Sequence, residues 1–235
     1  MQMIQWSLVS FICKELELCS FILYFVVLFF YTFYDKRPSI KVITGYYFLG
    51  SLLIWRVLYN VENGTNVDTY SQLCLISSLF LGLYFYMTLH SRVKRLIIVV
   101  LCLVEAGYFV FSNYLSAGPL ITLDSAAFVI LSTGVMIMIF FYMHQILTNV
   151  REEKLSMNFD FWFVSSQMIY HFGAFVIFLT FGYMTEKILP SDYTVENRKI
   201  LMSIWGIHNV LLFLSALLTS GSIIWIASHR KSPSS

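Results

Sequence analysis

Four polar side chains stand where a lipid-buried helix normally carries apolar ones. Glu105, His171, His208 and Asn209 each fall well inside a long apolar run. An ionisable group at the centre of a bilayer costs about 2.5–3.5 kcal/mol on insertion scales. Glu105 is therefore expected to face protein or water, where it can be protonated. A neutral histidine is cheaper to bury and both donates and accepts hydrogen bonds. Gln167 and His171, four residues apart, share one helix face. Val164 and Ala174 continue that face as apolar residues, so the polar stripe is short and reads as a local pocket, not a conduction path. Two readings stay open for these residues. They are either interhelical hydrogen bonds, worth about 0.6–2 kcal/mol each, or the lining of a ligand- or proton-sensing pocket.

His208 and Asn209 are adjacent, and successive helical positions diverge by about 100°. They are expected to meet different neighbouring helices, His208 one and Asn209 another, chiefly as packing bonds. Arg56, in the outer third of the second apolar segment, completes the candidate ligand-binding set of Arg56, Glu105, Gln167, His171, His208 and Asn209. It has Glu62, Asp68 or Asp124 as possible partners in an ion pair, or an anionic ligand as the alternative. His171 and His208 are single residues on separate segments, without the three or four ligands of a zinc site. Two histidines at one depth are compatible with haem ligation, and equally with two unrelated packing residues.

Other chemistries find no support. The last apolar segment has no lysine for a retinal Schiff base. No His-Glu-x-x-His, Gly-x-Ser-x-Gly or phosphate-loop motif occurs, and no series of charges resembles a voltage sensor or proton wire. Cys13, Cys19, Cys74 and Cys102 lack metal-ligand spacing and read as small buried hydrophobes or idle thiols, with no disulfide expected. No cofactor is implied, and an enzymatic role is left open.

These residues must be positioned by membrane helices. Of 235 residues, 58% are hydrophobic, 18% aromatic and 12% charged, where a soluble domain carries about a quarter charged residues. A helix needs about 20 mainly apolar residues to span the hydrocarbon. Seven segments qualify, near 16–34, 40–60, 69–90, 94–114, 122–148, 160–184 and 198–228. The first 15 residues are apolar enough to lie on the outer surface or lengthen the first helix, and no cleavable signal peptide is evident. The fold expected is all-α: a polytopic seven-helix transmembrane domain covering 1–235. Lys36, Arg37, Lys41, Arg92, Lys94, Arg95, Arg151, Lys154, Arg230 and Lys231 fall on one side. Only Lys14, Lys187, Arg198 and Lys199 fall on the other, with Arg56 inside the second segment. The positive-inside rule then puts the N-terminus out and the C-terminus in. Trp6, Trp55, Trp162, Trp205 and Trp225 mostly lie near segment ends, as in an interfacial aromatic belt. Met143, Ile146, Leu147 and Val150 continue a helical stripe to the inner end of the fifth segment. That end either docks a partner or is a long tilted helix with snorkelling ends.

The stretches "FDFWFVSSQMIYHFGAFVIFLTF" (159–181) and "ILMSIWGIHNVLLFLSALLTSGSIIWIA" (200–227) carry a resemblance. They resemble an uncharacterised family of seven-helix membrane proteins common in Bacteroidetes. Its marks are a Phe-Trp pair opening helix six, a Tyr near its middle, and Trp-x-Ile-His-Asn in helix seven. Here these are Phe161, Trp162, Tyr170, Trp205, His208 and Asn209. The family is in turn similar in topology to the seven-helix sensor modules of bacterial histidine kinases. The resemblance implies a receptor-like or accessory signalling protein of the bacterial inner membrane, sensing a small ligand or membrane state. With no kinase before Ser235, output is expected through a cytoplasmic kinase or regulator met at the inner end of helix five. Nucleic acid is not an expected partner. The alternatives are a membrane enzyme or haem protein using His171 and His208, and a small transporter.

Overall fold

The computed structural model describes residues 2–60, 66–115, 125–148, 155–185 and 194–229. Among them are seven long helices: α1 (Gln2–Tyr34), α2 (Pro38–Asn60), α3 (Asn66–Thr88), α4 (Arg92–Val110), α5 (Ser125–Thr148), α6 (Phe159–Tyr183) and α7 (Val195–His229). A π-helical turn, Phe111–Leu115, prolongs α4, and a 3-10 turn, Leu155–Met157, precedes α6. No strand occurs among the described residues. Six helices, α2 to α7, contain spans long and apolar enough to cross a membrane. The chain is thus an all-α bundle with the character of an integral membrane protein.

Local sequence explains several helix ends. Pro38 opens α2, where its missing N–H costs nothing and its fixed φ suits a first turn. Asn158 caps α6: its side-chain oxygen accepts from the backbone N–H of Asp160 at 2.9 Å and Phe161 at 3.4 Å. Asp160 then places a negative charge in the first turn, against the positive end of the helix dipole.

The helices pack as a ring. Neighbours run α1–α2, α2–α3, α3–α5, α5–α6, α6–α7 and α7–α1, and α4 lies outside, against the joint of α3 and α5. Contacts between α6 and α7 pair Tyr170 with His208 and Ser166 with Ser215 and Thr219. The numbering rises on one helix as it falls on the other, so the two are antiparallel. Close approach is built in at Gly50 of α2, where a Cβ would lie 2.3 Å from the ring of Phe21. That ring is itself buried in α1. Gly50→Val should force α1 and α2 apart, destabilising by about 1–3 kcal/mol. A thermal melt in detergent checks this; an unchanged melting temperature would show that Phe21 swings aside freely.

The outside of the ring is apolar. On α4 only Ile98 and Glu105 are buried, while Val93, Leu96, Val100, Leu103 and Val104 are exposed. A surface of this kind is shielded by lipid, not water. Ile98 and Glu105, seven apart, define the one face that α4 turns inward. Glu105, 3% exposed, therefore points into protein as its cost in lipid demands.

Candidate functional site

The interior of the ring holds a continuous polar cluster. At its centre the amide of Gln167 donates to the hydroxyls of Tyr24, at 3.0 Å, and Tyr47, at 3.1 Å. The two tyrosine rings stack at 4.0 Å between α1 and α2. Tyr24 is also hydrogen-bonded to Ser215 at 2.6 Å, and Ser215 donates to the carbonyl of Ser166 at 2.9 Å. Ser166 in turn meets Thr219 at 2.7 Å. On the far side of α2, Tyr46 is bonded to Ser77 of α3 at 2.8 Å. Five helices are thus stitched by hydroxyl and amide groups that have no water to fall back on in a bilayer.

One turn further along α6 the chemistry becomes titratable. Tyr170 lies 2.7 Å from Nε2 of His208, and Nδ1 of His208 lies 2.9 Å from Oδ1 of Asn209. An amide oxygen only accepts, so Nδ1 carries the proton and Nε2 accepts from Tyr170 in the neutral ring. His208 reaches α6 through Tyr170, and its side chain also shares a hydrogen bond with that of Asn209 although their backbone positions diverge. Phe128, Phe178 and Trp205 surround the imidazole, Trp205 at 5.2 Å between ring centroids. Trp205, read from sequence among the interfacial tryptophans, is instead half-buried and packed on this histidine and on Tyr70.

Because the two side chains share a bond, their losses should not add. His208→Leu and Asn209→Leu are each expected to destabilise, with the double variant losing at least about 0.5 kcal/mol less than the sum. A double-mutant cycle by thermal melting measures this. Strict additivity would mean that the His208–Asn209 bond contributes nothing.

His171 differs from every other member. It is 2% exposed, and its Nδ1 has no hydrogen-bond partner among the described residues. It lines a small, largely enclosed cavity of about 20 Å³. Glu17, Tyr46, Gln167, Tyr170 and His208 also line it. Glu17, 4% exposed on α1, accepts from the hydroxyl of Tyr70 at 3.1 Å. A cavity of this size holds about one water.

The structure brings Gln167, His171 and His208 to one cavity, with Asn209 behind His208. It does not bring Glu105 or Arg56 there. Glu105 is buried on α4, which packs on α3 and α5. Arg56 is exposed on α2, and two of its suggested partners, Glu62 and Asp124, lie outside the described residues. Sequence reasoning passed over Glu17, Tyr24, Tyr46, Tyr47 and the hydroxyls of Ser166, Ser215 and Thr219. It also passed over a second centre at the ring's other end. Asp160 of α6 pairs with Arg37, from the turn between α1 and α2, and accepts from the hydroxyl of Tyr84 of α3 at 2.9 Å. Asp35 engages the same guanidinium at 2.9 Å. Partial burial pulls the Arg37 guanidinium down, and the two carboxylates more than reverse this, raising it above its ordinary range. Arg37 therefore stays charged.

The cavity is poorly suited to haem or a metal. Both nitrogens of His208 are engaged, and the space is far smaller than a porphyrin. Among the described residues no group of three or more His, Cys, Asp or Glu is placed to hold a metal ion. No family model matches the chain, and no curated protein or solved structure matches it either.

Proposed function

We propose that this chain is a receptor-like or accessory signalling protein of the bacterial inner membrane. It crosses the bilayer seven times, with its N-terminus out and its C-terminus in. The observation that carries the reading is the Nδ1 of His171, buried without a hydrogen-bond partner on a side chain that lines a cavity. Unsatisfied buried polar atoms are few in native structures and each calls for an explanation. Among the side-chain nitrogens and oxygens lining this cavity, Nδ1 of His171 is the buried one without a hydrogen bond. Helix α6 supplies both that cavity and, at Asp160, the inner-end ion pair. A change at His171 can thus be felt at Arg37 through one rigid element. The stimulus is a small ligand or a membrane state, and output passes to a cytoplasmic kinase or regulator at the inner face. There Leu147 of α5 is exposed, while Met143 and Ile146 pack partly against the core; Val150 lies outside the described residues. The likeness of helices six and seven to the Bacteroidetes family points the same way.

Seven crossings are favoured by α1. It packs along α2 and α7 and turns Ile22, Val26, Phe29, Phe30 and Phe33 outward, as the membrane helices do. The orientation rests on charge. Contacts gather the turn holding Lys36 and Arg37, the α3–α4 corner and the C-terminal end of α5 at one end of the bundle, through Arg37–Asp160, Tyr84–Asp160 and Lys94–His144. Reporter fusions near Lys36, Arg92 and Arg151 should report a cytoplasmic location, and fusions near Asn63, Gly118 and Pro190 an external one. A cytoplasmic signal near Pro190 would overturn the seven-crossing arrangement.

The test of function is a transcript profile in the native host. His171→Leu, at normal protein level, should reproduce the expression changes of a deletion strain. A His171→Leu profile equal to that of the parent, beside a changed deletion profile, would reduce the cavity to a packing defect and end this reading.

A further inference from the structure

The cavity joins two buried ionisable groups that belong to different parts of the ring. Glu17 comes from α1 and His171 from α6, and both line the same water-sized space. The groups facing it can be named helix by helix. Tyr46 and Tyr47 come from α2, Cys74 from α3 with Tyr70 on the Glu17 carboxyl, Tyr170 from α6 and His208 from α7; α5 offers only Phe128 and Leu131. No lysine or arginine is among them. Glu17 is therefore the one acid there, and it has no basic side chain to neutralise it. The imidazoles are the only bases. His208 has both nitrogens committed, whereas His171 has an open Nδ1.

We propose that the cavity is a proton-binding site, in which one water bridges the carboxyl of Glu17 and Nδ1 of His171. The inference rests on the receptor-like reading and names the stimulus of that site as proton uptake or release. With its own proton on Nε2, His171 presents Nδ1 as an acceptor. The O–H bond of the Glu17 acid breaks, the bridging water takes that proton and passes one of its own to Nδ1. Carboxylate and imidazolium result, with the net charge of the pair unchanged. A proton then entering from outside onto the carboxylate, or leaving from the imidazolium, is the net uptake or release that a change of pH drives. Acid and base linked through a single water is a geometry in which such transfer is efficient. Tyr70 steadies the carboxylate, because its hydroxyl already points at Oε2. Charge arriving on His171 then lies on the helix that also carries Asp160.

Infrared difference spectroscopy of the full chain in lipid nanodiscs, titrated from alkaline to acidic buffer, tests this. A protonated-carboxyl stretch should appear, vanish in Glu17→Gln and move in frequency in Glu17→Asp, which serves if the first variant does not fold. In His171→Phe its titration midpoint should move by about one pH unit or more, the effect of losing a neighbouring base or charge. An O–H stretch sensitive to ¹⁸O-water should be present in the parent and absent in His171→Phe. A carboxyl band indifferent to both positions, or a cavity without an isotope-sensitive water band, overturns the proposal. Either result would leave the receptor reading to its own test, since that depends on the transcript response to His171→Leu.

Discussion

Asp160→Leu is expected to be the most damaging single change at the end of the bundle that holds the α1–α2 turn. It removes the carboxylate that Arg37 and Tyr84 share. Deleting one partner of a buried ion pair costs about 3–5 kcal/mol where both charges are fully enclosed. Here the Asp160 side chain is 10% exposed, but that of Arg37 is 44% exposed and keeps Asp35. Solvent screening and the second carboxylate reduce the expected loss to about 2–3 kcal/mol. For a chain of this size that is roughly 4–12 °C in melting temperature. Asp160→Asn should lose less, because it can still accept from Tyr84. Arg37→Met should also be milder than Asp160→Leu, since it orphans a carboxylate that still has the hydroxyl and the helix N-terminus. Equal losses in all three variants would show that packing, not charge, holds the α1–α2 turn to α6.

The second large effect is expected at Gln167. Gln167→Leu withdraws one amide from two buried tyrosine hydroxyls at once. Tyr24 keeps Ser215, so the burden falls on Tyr47. Leaving a buried polar group unsatisfied costs about 1–3 kcal/mol, although in membrane proteins the unfolded helices also find partners and the loss is nearer the low end. Gln167→Glu retains an acceptor but brings a second acid to a site that already holds Glu17. Any loss in this variant should come from that second buried acid, because the tyrosine hydroxyls can turn and donate to its carboxyl oxygens.

Much of the architecture was legible because lipid allows so few solutions. A run of about 20 apolar residues in a bilayer must be a helix. The seven expected segments accordingly overlap the seven helices described, with ends differing by a few residues. The run after Glu15 continues backward into α1, which begins at Gln2. Gln167 and His171 were legible as a pair because helical spacing gives direction around the axis. Glu105 shows where that reasoning stops. Its depth matched that of His171 and His208, but depth carries no information on which helices are neighbours, and α4 sits outside the ring.

Glu17 was missed for a related reason. It follows Lys14 and Glu15 and so reads as part of a charged helix end, whereas the continuing helix draws it inside. The tyrosines were hidden by their own ambiguity. An amphipathic ring serves equally at a membrane interface and in a polar core, and 15 tyrosines offer no periodic signal. Arg37 and Asp160 lie 123 residues apart, and nothing local announces that they meet. A sharper signal was present at Asp160. An acid beside Asn158, just ahead of an apolar run, marks a helix N-terminus, and that places it on the same side as the basic turns.

The claim that most needs testing is that His171 belongs to a site and not to the framework. Thermal melting of purified His171→Leu beside Gln167→Leu, in the same detergent, addresses it directly. Gln167 holds two protein hydroxyls, whereas Nδ1 of His171 holds none. Gln167→Leu should therefore melt about 2–8 °C below the parent, with a loss of about 1–2 kcal/mol. His171→Leu should melt within about 1 °C of the parent or above it, as replacement of a site residue often does. A fall in His171→Leu as large as that in Gln167→Leu would contradict the account and return the histidine to the framework.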